Sequence, residues 1–546
     1  MTSLPTREWD RETVWVAVLA GCASVISFLI YFQRGEILLF GDAVAHINIA
    51  RRVFDSRTPG PLQLGTVWLP LPHVLMLPLL ISKKLWQTGV GGSIPSLSAY
   101  VLGVLGIFRL GRGFLAIAGQ SKSPGRAAEW FTAVVYGLNP NLLYLQSTAM
   151  TESLYLCLFV WTVVFFREYL ASIGSAGDEL VDAKAALWKC GLCLTAACFT
   201  RYDGWFVAAA ISCWVILTAW KNSRVRRAAS GFVLLAAAAP ILWFAYNGIV
   251  YRNPLEFANG PYSARAIERK TSVPGFPPHP GTNNLSVAAA YFVKAGAFSI
   301  GVGNWQSVWL VFAWLGSLLV LRDRWGRPLV LLWLPVPFYM LSVAYGGVPI
   351  FTPDWWPHSL YNIRYGVQLL PALAVFLAVL ANQLASFAGS RAGKVVVWGF
   401  ALLFVAGSYA AVWSASPGCF QEAWVNSRTR LQLELRLARE LQELPPTSSF
   451  LMYLGGHVGA LQDAGIPLRR SINEGNHRVW KQPSDPDGLW ERSLADPAAH
   501  ADFVVALEGD PVWDAVHARN LPVVTQIVVP GQSIATIFRT RSLSQP

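Results

Sequence analysis

Four short polar blocks interrupt a chain that is otherwise strongly apolar, and each carries side chains able to move a proton or hold an anion. The first, residues 41–55, contains Asp42 and His46. Four positions apart, they share one face of a helix that Ile49 and Val53 continue. A carboxylate there can take a proton from a hydroxyl, and it can equally be a solvated charge on a surface helix. His73 follows in the proline-marked block 65–78. Glu152 opens an apolar run directly after Thr151, which suits a reactive carboxylate and also suits a helix dipole with a threonine cap. Arg201 and Asp203 flank Tyr202 in a polar turn, where they can pair with each other or leave Arg201 to a phosphate. Arg364 and Tyr365 open a late apolar run. A guanidinium fork matches phosphate oxygens, and an arginine–tyrosine pair is also a common interfacial anchor.

The long stretch 251–284 adds Tyr262, Arg265, Glu268, Arg269 and Lys270, then a Pro/Gly-rich segment through His279. Long connections without regular structure are usually functional or disordered. Aromatic and basic residues together suggest a cover over an anion, with Arg269 and Lys270 stronger candidates than Tyr262 and His279.

The elements that must position these blocks are membrane helices. Of 546 residues, 54% are hydrophobic and 14% charged, and the mean hydropathy is +0.41. That is too apolar for an ordinary soluble protein. Runs near the length needed to cross a bilayer fall at 13–32, 96–117, 127–145, 154–169, 185–200, 204–220, 228–250, 308–321, 328–345, 363–384 and 395–413, about eleven helices. The first run lacks a clear cleavage site and is read as a retained helix. The stretch 68–81 holds Pro70, Pro72 and Pro78 and is read as a juxtamembrane helix at the interface. Residues 414–546 read as a small α/β domain, with an amphipathic helix at 421–444 and strands at 450–453, 503–507, 523–527 and 534–538. Gly455-Gly456-His457 follows a strand without a full dinucleotide fingerprint.

The net charge of +12 lies largely in short loops between apolar runs, so it implies orientation and no nucleic-acid partner. The basic loops 221–227 and 322–327, with Lys122, Arg126, Arg391 and Lys394, are expected in the cytoplasm. That assignment gives a multi-pass protein of the plasma (inner) membrane, with the N-terminus inside and the C-terminal domain extracytoplasmic. Six of the seven cysteines lie in or beside apolar runs, and Cys190 and Cys193 have no second pair, so they read as packing residues. All the polar blocks then face one side. This suits an enzyme working on one leaflet, whereas a lipid or solute transporter, the rival reading, places its sites near the midplane between repeats.

Block 41–55 with Gly65–Pro78, then Asn139-Pro140 through Glu152-Ser153-Leu154, Phe199-Thr-Arg-Tyr-Asp-Gly-Trp205, and Tyr361-Asn-Ile-Arg-Tyr-Gly366 followed by Leu369-Leu-Pro371, resemble the GT-C superfamily of membrane glycosyltransferases. Protein O-mannosyltransferases and lipid A aminoarabinose transferases belong to it. The resemblance implies a polytopic α-helical GT-C-like fold over residues 1–413, followed by the extracytoplasmic α/β domain 414–546. It also implies inverting transfer of a sugar, hexosyl or mannosyl in type, from a polyprenyl-phosphate donor to an acceptor hydroxyl on the extracytoplasmic side. Asp42 would be the general base and Glu152 a second catalytic acid. His46, His73, Arg201, Asp203, Tyr262, Arg269, Lys270, Arg364 and Tyr365 would bind substrate. The usual loop motif pairs two acidic residues, whereas Gly41 and Ala43 flank a single Asp42 here, so no metal site is expected in this loop. No cofactor is expected, although a divalent metal ion is one the carboxylates would admit. The partners implied are the lipid-linked donor, membrane lipid and an unidentified hydroxyl acceptor.

Overall fold

The computed structural model describes residues 10–117, 126–173, 178–271, 277–322, 326–476 and 487–540. Among these, nine helical runs are long and apolar enough to cross a membrane. They coincide with nine of the eleven expected spans, from Arg11–Gln33 to the apolar part of the run that begins at Arg391. The expected span 127–145 is divided. The helix Ala127–Gly137 stops and Asn139 caps a new helix, Pro140–Leu145, accepting from the Leu142 amide at 3.0 Å. An asparagine cap followed by proline at the first helical position is a strong start signal, and it overrides apolar continuity. The run 185–200 lies in the helix Asp178–Cys198, whose first turns are charged. Lys122 and residues 323–325 of the basic loops lie outside the described residues.

The stretch 68–81 forms only a six-residue helix, Leu71–Met76, about 9 Å long and far short of a span. An apolar helix that the hydropathy pattern did not separate from the long loop, Leu285–Phe298, is capped by Asn284. Outward-facing Leu234, Phe400 and Leu403 are exposed, as contact with lipid requires.

The helix Arg391–Ala415 ends at Ser416 (φ 68°) and Pro417. The amphipathic helix Gly418–Glu443 follows, burying Leu433, Leu437 and Leu441. Beyond it, β1 (Phe450–Met452), β2 (Ser471–Ile472), β3 (Phe503–Leu507), β4 (Val523–Ile527) and β5 (Ala535–Arg539) form one mixed sheet in the order β2-β1-β3-β5-β4. β1 runs parallel to β2 and β3, and β5 antiparallel to β3 and β4. The alternation of strand side chains divides two cores. Phe450, Met452 and Val505 pack with the amphipathic helix, while Leu451, Val504 and Phe538 face Trp490.

This sheet docks on the helix Gly41–Arg52 and the loop after it. Asn48 donates to Gln462 at 2.6 Å, Gln63 donates to the Gly475 carbonyl at 2.8 Å, and Asn476 donates to Thr58 at 3.0 Å. The C-terminal segment therefore braces the element that carries Asp42.

Candidate active site

Arg364 sits in the short 3-10 helix Ile363–Leu369, which leads into the span Leu370–Phe387. Its Nη2 lies 2.6 Å from Asp42 Oδ2, its Nη1 2.5 Å from Glu422 Oε1, and its Nε 3.5 Å from Glu152 Oε1. Glu152 Oε1 also accepts from Arg201 Nη1 at 3.1 Å, so one carboxylate oxygen joins the two guanidiniums. Arg201 Nε stands 3.5 Å from Asp203 Oδ2. The cluster has four carboxyl groups to two guanidiniums. Glu152, Asp203, Arg364 and Glu422 are buried, while the Asp42 side chain is 40% exposed and is the acid open to an incoming group.

Aromatic residues fix the two cations. Both guanidiniums lie over the Tyr365 ring, Arg201 at 4.9 Å and Arg364 at 5.0 Å from its centroid, and Arg364 also lies 5.2 Å from the Phe40 centroid. Such contacts favour a desolvated arginine by about 1–2 kcal/mol. Tyr365 stacks on Tyr339, and Tyr339 on Phe292 of the apolar helix Leu285–Phe298. The Tyr339 hydroxyl accepts from Arg201 at 2.8 Å and Gln368 at 2.9 Å and donates to Asp203 at 3.3 Å. Close backbone packing holds the stack. A Cβ on Gly366 would lie 2.2 Å from the Ala295 carbonyl carbon, so only glycine fits after Tyr365.

Beside the cluster, His46 Nδ1 and His73 Nε2 are 2.8 Å apart, and His46 packs against Trp68 at 4.6 Å. Burial, reinforced by the positive charge of Arg201 and Arg364, pushes the His46 pKa down to about 3. Burial and His46 lower that of His73 as well. Both rings are therefore neutral, one donating to the other. The block 65–78 is tied to the Arg201 turn, since Tyr202 donates to the Val67 carbonyl at 2.9 Å and the Leu71 amide to the Phe199 carbonyl at 3.0 Å.

No family model matches the sequence, and comparison with curated proteins finds no match. Solved structures do match. The ArnT from Cupriavidus metallidurans bound to undecaprenyl phosphate superposes with a TM-score of 0.59 at 13% identity, covering 98% of this chain and 99% of that one. Its apo form gives 0.59 at 12% identity, covering 98% and 100%. The archaeal oligosaccharyltransferase AglB from Archaeoglobus fulgidus, in complex with an inhibitory peptide and a dolichol-phosphate, gives 0.50 at 13% identity, covering 98% and 75%. The chain shares the fold of the ArnT structures.

Within that fold, the blocks singled out in the sequence meet unequally. Asp42, Glu152, Arg201, Asp203, Arg364 and Tyr365 converge in one network, with His46 and His73 alongside. Tyr262 instead lines a separate cavity on another side of the Asp42 helix. Arg269 and Lys270 are exposed in the last turn of the helix Ala264–Thr271 and touch none of the cluster. His279 is buried and serves its own loop, with Nε2 donating to the Ile350 carbonyl at 2.9 Å and Nδ1 accepting from the Gly281 amide. Among the described residues, no group of three or more His, Cys, Asp or Glu side chains is placed to hold a metal ion.

Sequence reasoning missed Glu422, Tyr339 and Gln368. Gln368 left a readable signal, a polar amide four residues after Arg364 inside an apolar run. Glu422 left less, because it sits in an amphipathic helix where a glutamate is ordinary.

Proposed function

We propose that this chain is an integral-membrane glycosyltransferase that moves a sugar from a polyprenyl-phosphate donor to an acceptor hydroxyl on the extracytoplasmic side. The observation that carries this reading is the buried Arg364 and the partly buried Arg201 guanidiniums over Tyr365 with the half-exposed Asp42 beside them. Two guanidiniums held in place match the oxygens of a phosphate monoester or diester. The only acid of the network open to an incoming group is the one at Arg364 Nη2. The fold shared with structures captured with undecaprenyl phosphate or dolichol-phosphate supports a lipid-linked donor.

In the proposed reaction, the donor phosphate displaces Asp42 from Arg364, and the freed carboxylate turns to the acceptor. The acceptor oxygen bonds to the anomeric carbon as the bond from that carbon to the phosphate oxygen breaks, with inversion. The hydroxyl proton passes to Asp42, and the electron pair leaves with the polyprenyl phosphate, held by Arg364 and Arg201. Proton uptake by Asp42 removes one negative charge from an acid-rich cluster as the leaving group gains its own. Glu152 fixes the spacing of the two guanidiniums. Residues 1–413 form the catalytic membrane part, completed by Glu422 from 414–546.

The test uses purified protein in nanodiscs and a panel of radiolabelled polyprenyl-phosphate sugars, comparing wild type with Asp42→Asn. Release of polyprenyl phosphate that depends on Asp42 is expected. Well-folded wild type that neither binds nor turns over any donor would sink the reading and favour the transporter alternative.

A further inference from the structure

A cavity of about 360 Å³ lies between the Asp42 helix and the C-terminal segment. On the helix side it is lined by Gly41, Val44, Ala45, Asn48, Ile49 and Arg52, a face that adjoins the one carrying Asp42 and His46. Opposite stand Gly455 and Gly456, just beyond β1, and Gly475, beyond β2. Trp68 and Tyr262 supply aromatic walls. The volume lies in the range of small-molecule sites.

The charges of this cavity cancel locally. Arg52 lies 3.8 Å from Glu474, and Arg430 lies 2.5 Å from Glu434. An anion would gain little here, in contrast to the Arg201–Arg364 cluster. Two polar atoms of the lining residues remain unpaired. Gln63 is 3% exposed and its Oε1 has no hydrogen-bond partner, and neither has Arg52 Nε. An acceptor and a donor are thus left over in a lining of aromatic faces and backbone exposed by glycines. Hydroxyl groups, which donate and accept at once, on a compact ring with an apolar face match that demand.

We propose that this cavity holds a neutral sugar unit of the acceptor, so that the acceptor is a glycan or glycolipid rather than a peptide or a phosphorylated sugar. The assignment rests on the transferase reading above. The placement follows from the base: Gly41 lines the cavity, and the next residue carries the open carboxylate that takes the acceptor's proton. Donor phosphate and acceptor sugar then lie next to one helix end, within reach of Asp42. Because Gln63 and Asn48 are hydrogen-bonded to Gly475 and Gln462, the C-terminal segment forms the far wall and shapes acceptor choice.

Saturation-transfer NMR on the full chain in nanodiscs tests this. The probes are neutral methyl hexosides and pentosides, a methyl glucuronide and a serine/threonine peptide, each alone, with undecaprenyl phosphate and with an undecaprenyl-phosphate hexose. A Cβ on Gly456 meets nothing within 4 Å, so Gly456→Leu fills the cavity without a clash at that atom. At least one neutral glycoside should bind, with signal at least tenfold weaker in Gly456→Leu and in Tyr262→Ala and unchanged by undecaprenyl phosphate. The proposal is overturned if no neutral glycoside binds, if binding survives in both variants, if the glucuronide or peptide binds better, or if an undecaprenyl-phosphate hexose expels the glycoside, which would make the occupant the donor's sugar. Binding of undecaprenyl phosphate, followed separately with Arg364→Met as control, keeps the two readings apart. Its presence without glycoside binding removes only the cavity assignment, and its absence removes the transferase reading.

Discussion

Glu422 holds Arg364 by side chain and backbone at once. Its carboxylate accepts from Arg364 Nη1 at 2.5 Å, from the Arg364 amide at 3.2 Å and from the Asn362 amide at 2.9 Å, with Asn362 in a left-handed turn at φ 56°. One buried acid from the helix after the last span thus caps the turn that presents the guanidinium and fixes the guanidinium itself. Removing it leaves one guanidinium nitrogen and two backbone amides without their acceptor, at a cost of about 1–3 kcal/mol for each buried group left unsatisfied. Glu422→Ala should therefore lower the melting temperature and abolish polyprenyl phosphate binding. Glu422→Gln, which retains hydrogen-bonding capacity, should fold better and bind weakly. Equal behaviour of Glu422→Ala and wild type in a nanodisc binding assay would show that the clamp has no role.

For Asp42, binding and turnover should move in opposite directions. Asp42 pairs with Arg364 Nη2, so Asp42→Asn removes a competing charge from the proposed phosphate site. Polyprenyl phosphate should bind at least as tightly to this variant, while transfer falls about 10²–10⁴-fold with the loss of a general base. Asp42→Glu should also lose most activity, because a base must be placed to within about 0.5 Å. Calorimetric binding and single-turnover transfer on the same preparations check this. A variant that loses both together would make Asp42 a structural residue.

Arg364→Lys and Arg201→Lys both keep a charge and lose the planar fork over Tyr365. Each should weaken phosphate binding by at least tenfold, with Arg364→Lys the more damaging because three carboxylates converge on its guanidinium. Retention of wild-type affinity in both would mean that the phosphate binds elsewhere.

Most of the cluster was legible because its members break a strong pattern. A charge beside an apolar span is costly without a partner, so Asp42, Glu152, Arg201, Asp203 and Arg364 stood out one by one. Their pairings did not, since Asp42 and Arg364 are brought together by tertiary packing alone. Glu422 and Glu434 were hidden in an amphipathic helix, whose polar positions read as solvated until the Asn362–Arg364 turn covers the first and the backbone at Gly459 the second. Arg269 and Lys270 are the converse case. A basic amphipathic turn in an aromatic-rich loop resembles an anion cover, yet here it faces outward. The helix Leu285–Phe298 escaped because its 14 residues fall short of a span.

Gly366 makes the close approach testable. An added Cβ would collide with the backbone of Ala295 and Gly296 at 2.2–2.4 Å, where no side chain can swing away. Gly366→Ala should separate the 3-10 helix from Leu285–Phe298, disturb the Tyr365–Tyr339–Phe292 stack and lose several kcal/mol of stability. By contrast, Gly399→Ala, whose Cβ meets nothing within 4 Å on a neighbouring span, should be neutral or slightly stabilising. Melting temperatures of the two variants, measured side by side, decide the matter.

The His46–His73 pair predicts a pH dependence with a definite sign. In the unfolded chain each imidazole takes a proton near pH 6.5, whereas folded His46 resists until about 3 and His73 is likewise held down. Between those limits the unfolded state binds more protons, so stability rises with pH there and is lost on acidification. Above 6.5 the contribution is fully present. The slope from this cause is at most about 1.4 kcal/mol per pH unit for each histidine. Only one proton fits between two nitrogens 2.8 Å apart, so protonating both rings must break their contact and expose the packing against Trp68. Wild-type melting temperature should therefore fall between pH 6.5 and 4.5, and the double variant His46→Gln/His73→Gln should start lower at pH 7.5 but show a shallower decline. Identical slopes would mean that the two rings are solvated in the folded protein and do not form the neutral pair.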